Sequence, residues 1–359
     1  MKTLTSTQPT ATQRGTAPLP APSELLAEIP GSVEISDSIR RSREDIRAVL
    51  NGVDNRLLVI AGPCSIHDAE AGLEYARLLV GAAREHREDL LVVMRAYFEK
   101  PRTTVGWKGL INDPHLDGSH DIATGLRAAR SFLVKVAELG LPVGTEFLEP
   151  ISPQYISDLV SWGAVGARTT ESQIHRQFVS GLPMPVGFKN GTDGGIGVAL
   201  DACAAASAPQ SFLGIDDDGR AAVVSTAGNP DTHLILRGGA SGPNYGAGHL
   251  ANATAKLTSA GLNGRLIVDA SHANSGKDHE RQAGVARELA ESVAGTEVIA
   301  GVMLESFLVP GAQKLDVAAP RELVYGQSVT DACMGWDVTA GVLADLAEGS
   351  RRRRTDGKP

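Results

Sequence analysis

The chain has 359 residues, 42% hydrophobic and 21% charged, with a formal net charge of -8 at pH 7. That length suits one large domain or two smaller ones. The acidic balance argues against a general nucleic-acid or anionic-membrane partner, since both want a basic face. The apolar runs are strand-sized, far short of the roughly 20 residues that cross a bilayer.

In chain order, residues 1–33 read as a disordered or extended arm, rich at first in Thr, Ala, Pro and Ser and lacking the apolar stretch of a secretory signal. A helix with interleaved charges is predicted at 36–50. Strands follow at 57–61, 90–94, 142–147, 164–167, 186–188, 232–236, 266–269 and 298–304. Helical patterns fall between most of them, at 69–85, 122–139, 154–162, 196–206, 246–260 and 282–293.

Strand–helix alternation implies a parallel sheet with right-handed crossovers. Eight such units predict an α/β fold, a closed (β/α)8 TIM barrel. An open doubly wound sheet typically uses fewer strands, and no G-x-G-x-x-G follows a strand. Two segments interrupt the pattern. Residues 212–226 hold two β-prone runs around Asp218-Gly219, an expected hairpin inserted before the sixth strand. Residues 99–121 form a connection long enough to expect a functional role. Residues 347–359 read as a charged, solvated tail. Cys64, Cys203 and Cys333 are odd in number and widely spaced, which predicts no disulfide framework and a reducing, cytoplasmic setting.

The chemistry concentrates at strand ends, where barrels build their active sites. Cys64, Arg95, Glu146, Arg168, Lys189, Arg237, Asp269 with His272, and Glu305 stand there in turn. A lone charge is costly inside a buried strand and tolerated at its end or when paired. Four cations so placed in an acidic chain point to a pocket for a small, multiply anionic substrate. Lys189 is followed by Asn190, Gly191, Thr192 and Asp193 with two more glycines, and Arg237 by Gly238 and Gly239. These glycines are expected to let backbone N–H groups close on a phosphate. Lys100, Arg102, Thr103 and Thr104 gather two cations and two hydroxyls suited to a second phosphate. Cys64, His272, Glu305 and Asp331 share no ligand spacing, but the barrel would put the first three on one rim. A mixed thiolate, imidazole and carboxylate set suits a divalent Mn, Fe, Co or Zn ion.

The segments AGPCSIHD (61–68), MRAYFEKPRTTVGWKGLINDPHLDGSHD (94–121), GARTTESQIHR (166–176), GFKNGTDG (187–194), GNPDTHLILRGG (228–239), DASHANSGKD (269–278), GVMLESFLVPGAQ (301–313) and SVTDACMGWD (328–337) closely resemble class I 3-deoxy-D-arabino-heptulosonate 7-phosphate synthases. The resemblance runs from about residue 34 to 346. It implies condensation of phosphoenolpyruvate with erythrose 4-phosphate, the first step of the shikimate route to aromatic compounds. By motif, it assigns Arg95, Lys100, Arg168, Lys189 and Arg237 to phosphoenolpyruvate, and Arg102, Thr103 and Thr104 to erythrose 4-phosphate. Cys64, His272, Glu305 and Asp331 become the metal ligands; Lys100, Cys64 and His272 stand at the reacting centre, with Lys100 or the metal-bound water expected to handle protons.

The related 3-deoxy-D-manno-octulosonate 8-phosphate synthases carry a K-A-N-R-type segment where this chain has Lys100-Pro101-Arg102-Thr103-Thr104, which favours the four-carbon sugar. In the resembled family the N-terminal extension and the hairpin shape an aromatic amino acid inhibitor site and the contacts of a homodimer or homotetramer. Pro183, in GLPMP (181–185), departs from the Ser common in relatives.

Overall fold

The computed structural model describes residues 15–317 and 322–356. Two helices, α1 (Pro22–Glu28) and α2 (Val33–Leu50), precede the first strand. The chain then runs β1 (Leu57–Gly62), α3 (Ala69–Glu85), β2 (Leu90–Arg95), α4 (Ile122–Glu138), β3 (Val143–Glu146), α5 (Pro153–Ile156), β4 (Trp162–Val165), α6 (Gln173–Val179), β5 (Val186–Lys189) and α7 (Gly197–Ser207). A hairpin of β6 (Gln210–Ile215) and β7 (Ala221–Thr226) intervenes. After it come β8 (Thr232–Leu236), α8 (Ala247–Ser259), β9 (Leu266–Asp269), α9 (His279–Ala294), β10 (Ile299–Glu305), β11 (Val309–Ala312), β12 (Gln327–Ser328) and α10 (Trp336–Asp356). Strands β1, β10, β9, β8, β5, β4, β3 and β2 close in that order into an all-parallel barrel, the predicted TIM fold.

Strand side chains alternate between faces, so one strand feeds two cores. Leu58 and Ile60 of β1 join Leu91, Val93, Trp162, Ile235, Ile267 and Met303 inside the barrel. Leu57, Val59 and Ala61 pack outward in the larger core under the helices. Ile46, Val49 and Leu50 of α2 belong to the inner group, so this helix closes one end of the barrel. Its polar contacts fix which end. Arg43 donates to Val160 O ahead of β4, Arg47 to Asp231 ahead of β8, and Leu50 O accepts from Asn263 ahead of β9. The plugged end is therefore the N-terminal one, and the other is left for the site.

The hairpin expected at 212–226 is present over Gln210–Ile215 and Ala221–Thr226. Other expectations need correction. The helix predicted at 154–162 gives way to α5 and a short 3-10 turn, and the strand predicted at 164–167 starts at Trp162. The cause is packing. The Trp162 indole fills the barrel interior, where Gly144 makes room: a Cβ there would lie 2.8 Å from Trp162 Cε3. The arm is not extended throughout. Residues 1–14 lie outside the described residues, but α1 buries Leu25, and Ser23 N donates to Asp217 O at the hairpin turn.

The expected frayed C-terminal tail is the last turns of α10 as far as residue 356. Arg353 Nη1 donates to Ile299 O, and its Nη2 to Asn55 O, while Arg351 and Arg354 pair with Asp89. Among the described residues, no helix is long and apolar enough to cross a membrane.

Candidate active site

At the C-terminal ends of the strands lies a cleft with about 690 Å³ of open space. Lys100, Arg102, Arg168, Lys189, Arg237 and Lys277 line it, with Glu146, His272, Thr192 and Asp331. Lys189 ends β5, and its Nζ donates to Asp269 Oδ2 at 2.9 Å. Arg168 stands in the turn after β4 and, among the described residues, its side chain donates only to Pro101 O, at 3.3 Å. Arg237 follows β8 and is half-buried; burial lowers its pKa, with Asp269 opposing.

The glycine loops do not work as expected. The N–H groups of Gly191, Gly194 and Gly239 go to backbone carbonyls; Gly195 and Gly238 donate to Asp193 Oδ1 and Asn244 Oδ1. None of these five is left for a phosphate. The glycines serve close approach instead: a Cβ on Gly239 would sit 2.1 Å from Gly194 N. Buried Asn190 laces the two loops, accepting from Arg237 N at 2.8 Å and donating to Gly238 O at 3.0 Å. What these loops present to the cleft is chiefly the Lys189 and Arg237 side chains and Thr192.

Arg95 lies beneath the cleft, with no exposure. Its Nη2 donates to Glu305 Oε1 at 2.8 Å and to Cys64 O, and its guanidinium stacks 3.7 Å over the Tyr97 ring. Burial opposes its charge, but Tyr97, Glu305, Cys64 and Asp269 outweigh that and raise its pKa above the ordinary arginine value. Lys100 Nζ reaches Cys64 O and Cys64 Sγ, both at 3.2 Å. Thr103 and Thr104 are exposed on the same connection as Arg102 and do not line the cleft.

Beside these cations, donor atoms of Cys64, Glu305 and Asp331 all lie within 4.8 Å of one another. Burial pushes the Cys64 thiol up, Glu305 adds to this, and Lys100 opposes it. Asp331 is held below its ordinary value: burial raises it, but Lys100, His272 and Lys277 outweigh that. Of the four expected ligands, His272 stands slightly apart. Its Nε2 is 3.8 Å from Glu305 Oε1, and its Nδ1 is 2.8 Å from Asp269 Oδ2. A ring nitrogen held by a carboxylate leaves the other free toward the cluster, as in many metal-binding histidines. A thiol and two carboxylates packed so closely suit a divalent transition metal.

Sequence reasoning assigned no role to Lys277. Both His272 (φ 53) and Lys277 (φ 63) adopt left-handed backbone, with Lys277 N bonded to His272 O. That conformation is uncommon outside glycine and concentrates at functional sites. The only local signal was Lys277 following Gly276.

An all-parallel barrel with a cationic cleft and a thiol–carboxylate cluster on its C-terminal rim defines a (β/α)8-barrel enzyme. The profile of the family described as "DAHP synthetase I family" matches residues 32–344. A Corynebacterium glutamicum protein named phospho-2-dehydro-3-deoxyheptonate aldolase is 56% identical over 346 residues, covering 95% of this chain and 94% of that one. The Escherichia coli K12 protein named phospho-2-dehydro-3-deoxyheptonate aldolase, Phe-sensitive, is 51% identical over 334 residues, covering 93% and 95%. The solved structure of phospho-2-dehydro-3-deoxyheptonate aldolase from Francisella tularensis SCHU S4 superposes with a TM-score of 0.93 at 45% identity, covering 95% of this chain and 99% of that one. The chain belongs to the DAHP synthetase I family and is an enzyme of that family.

Proposed function

We propose that this enzyme condenses phosphoenolpyruvate with D-erythrose 4-phosphate and water, giving 3-deoxy-D-arabino-heptulosonate 7-phosphate and phosphate. The observation that carries the reading is the convergence of Lys100, Arg102, Arg168, Lys189, Arg237 and Lys277 on one cleft beside Cys64, Glu305 and Asp331. Two phosphates and a carboxylate need several cations, a surplus that a single phosphate would not require.

Arg168, Lys189 and Arg237 hold phosphoenolpyruvate, with Arg95 supporting the floor and Lys100 beside it. Arg102, with Thr103 and Thr104, holds the aldose phosphate at the cleft mouth. Cys64, His272, Glu305 and Asp331 would hold a divalent Mn, Fe, Co or Zn ion, which when bound supplies Lewis-acid polarisation of the aldehyde. Carbon C3 of the enol attacks the aldehyde carbon, and Lys100 Nζ gives its proton to the oxygen that becomes a hydroxyl. Water adds at C2 and returns a proton to Lys100, and the resulting hemiketal phosphate collapses to the C2 ketone as phosphate leaves by C–O cleavage, carrying away the hydroxyl proton.

The test is consumption of phosphoenolpyruvate with erythrose 4-phosphate or arabinose 5-phosphate as co-substrate. Preference for the five-carbon sugar would overturn the assignment. Lys100→Met should lower kcat by about two orders of magnitude or more at saturating substrate; near-normal turnover would remove the proton role.

The Phe-sensitive relative supports an aromatic amino acid inhibitor. A groove between α5, α6 and the hairpin, lined by Gln154, Phe178, Ser180, Leu182 and Phe212, has the mixed apolar and polar lining to seat one. Pro183 directly follows Leu182 there, and binding measured with Phe, Tyr and Trp identifies the ligand.

A further inference from the structure

The connection between β2 and α4 carries Lys100, Arg102, Thr103 and Thr104, yet its tip stands in solvent, with Val105 98% exposed. Its root is tied down. Lys100 N donates to Lys108 O at 2.8 Å, and Ile111 N to Phe98 O at 3.2 Å. The third tie is the Glu99 side chain, 1% exposed, which points away from the cleft. Its carboxylate enters the connection between β3 and α5. There Oε1 accepts from Glu149 N at 3.1 Å, and Oε2 accepts from Ser152 Oγ at 2.8 Å and from Leu148 N at 3.4 Å.

We propose that Glu99 is a positioning residue: its ionised carboxylate latches the loop bearing Lys100 and Arg102 onto the β3–α5 connection, and so sets the affinity for the phosphate-bearing sugar. The inference rests on the function proposed above and deepens it.

An ionised carboxylate only accepts hydrogen bonds, and here it meets three donors. Two of those are backbone N–H groups that cannot turn round. Protonation would set an O–H against them, and only Ser152 has an alternative acceptor, Glu149 O at 3.0 Å. The latch is thus complete in one protonation state.

Burial pushes Glu99 up to about 7, with Ser152, Glu149 N and Leu148 N pulling down and the Glu149 charge adding to the rise. The titratable groups around it are few. Glu149 lies on the latched connection and Glu146 ends β3. Lys100 is next in the chain but turns its Nζ to Cys64. His175 of α6 meets Leu148 O through Nε2, and burial lowers its pKa, so it titrates below the latch.

The linkage has a definite sign. The folded-state value lies above the ordinary glutamate value of 4.5, so the stability gained from protonated Glu99 is present below 4.5 and lost as pH rises through about 7. The ionised latch is therefore kept at a cost to the fold. A purely structural carboxylate should behave in the opposite way.

The experiment measures initial rates of the metal-loaded full chain with both substrates from pH 6 to 8.5, for wild type and E99Q. The glutamine imitates the protonated acid. The expected ratio of E99Q to wild-type KM for erythrose 4-phosphate is near one at pH 6 and roughly tenfold at pH 8, with kcat within about threefold. Titration of the sugar phosphate cancels in that ratio. The melting temperature of E99Q at pH 8 should not fall.

A ratio that stays flat with pH, or a defect confined to kcat or melting temperature, overturns the proposal. Ser152→Ala, which removes one donor, should raise the pH 8 KM by a smaller factor, and it carries the test if E99Q does not fold. If wild type consumes no phosphoenolpyruvate with this sugar, the functional reading fails. Amide hydrogen-exchange protection across 100–108 then decides the latch: lower in E99Q than wild type at pH 8 and equal at pH 6 supports it, and equality at both sinks it.

Discussion

The two ends of the barrel handle the same residue type in opposite ways. At the N-terminal end, Ile46, Val49 and Leu50 seal the interior, and the nearby arginines are partnered: Arg47 with Asp231, Arg351 and Arg354 with Asp89, Arg353 with backbone carbonyls. At the C-terminal end, Arg102, Arg168, Arg237 and Lys277 make no ion pair among the described residues. Cations left unpaired in a concave site keep their field for a ligand, whereas the paired arginines of the N-terminal end hold the fold together. Structure and function are thus separated along the barrel axis, and the separation can be broken experimentally.

The largest effect should come from the upper rim. Chelation with EDTA is expected to abolish turnover, and a divalent transition metal to restore it; full activity in the chelated enzyme would remove the metal assignment. Next is the plug. Ile46→Ala empties a fully buried site and should cost about 2–5 kcal/mol in a denaturant titration, with kcat and KM of the folded fraction unchanged. A kinetic defect in that variant would show that the two ends are not independent.

The smallest effect is a pH slope from the barrel interior. His233 is buried, burial lowers it to about 4 from 6.5, and its Nε2 accepts from Trp162 Nε1 at 3.1 Å. A depressed histidine contributes stability that is full above 6.5 and falls away as pH drops toward 4. Stability of the wild type should decline across that window, and His233→Gln should flatten the decline.

The barrel was legible because parallel strands buried on both faces read as continuous apolar runs. Strand β4 was displaced by two residues because Trp162-Gly163 looks like neither run nor alternation; its place is set by a void at Gly144 on another strand. The four arginines at 351–354 resembled a solvated tail, since the acceptors that hold Arg353 lie 54 to 298 residues away. Cys64, Glu305 and Asp331 were gathered from distant segments as expected, and His272 was placed beside them. Arg95 shows the limit of reading a strand end: a cation there can open to the cleft or sit under its floor, and composition does not distinguish the two. Glu99 and Lys277 left almost no trace, because their roles depend on what another loop brings to them.

The lacing of the β5 and β8 loops through Asn190 has a thermodynamic consequence. Lys189 and Arg237 lead into loops whose glycine N–H groups at 191, 194, 195, 238 and 239 are already bonded, so their spacing is set when the chain folds. Across the cleft, Arg102 and the neighbouring residues to Val105 stand exposed in solvent. An anion seated between them would lose little entropy to ordering on the first side and much on the second. Calorimetry of the two substrates separately should therefore divide them, with the larger entropic penalty falling to the one that settles against the exposed tip.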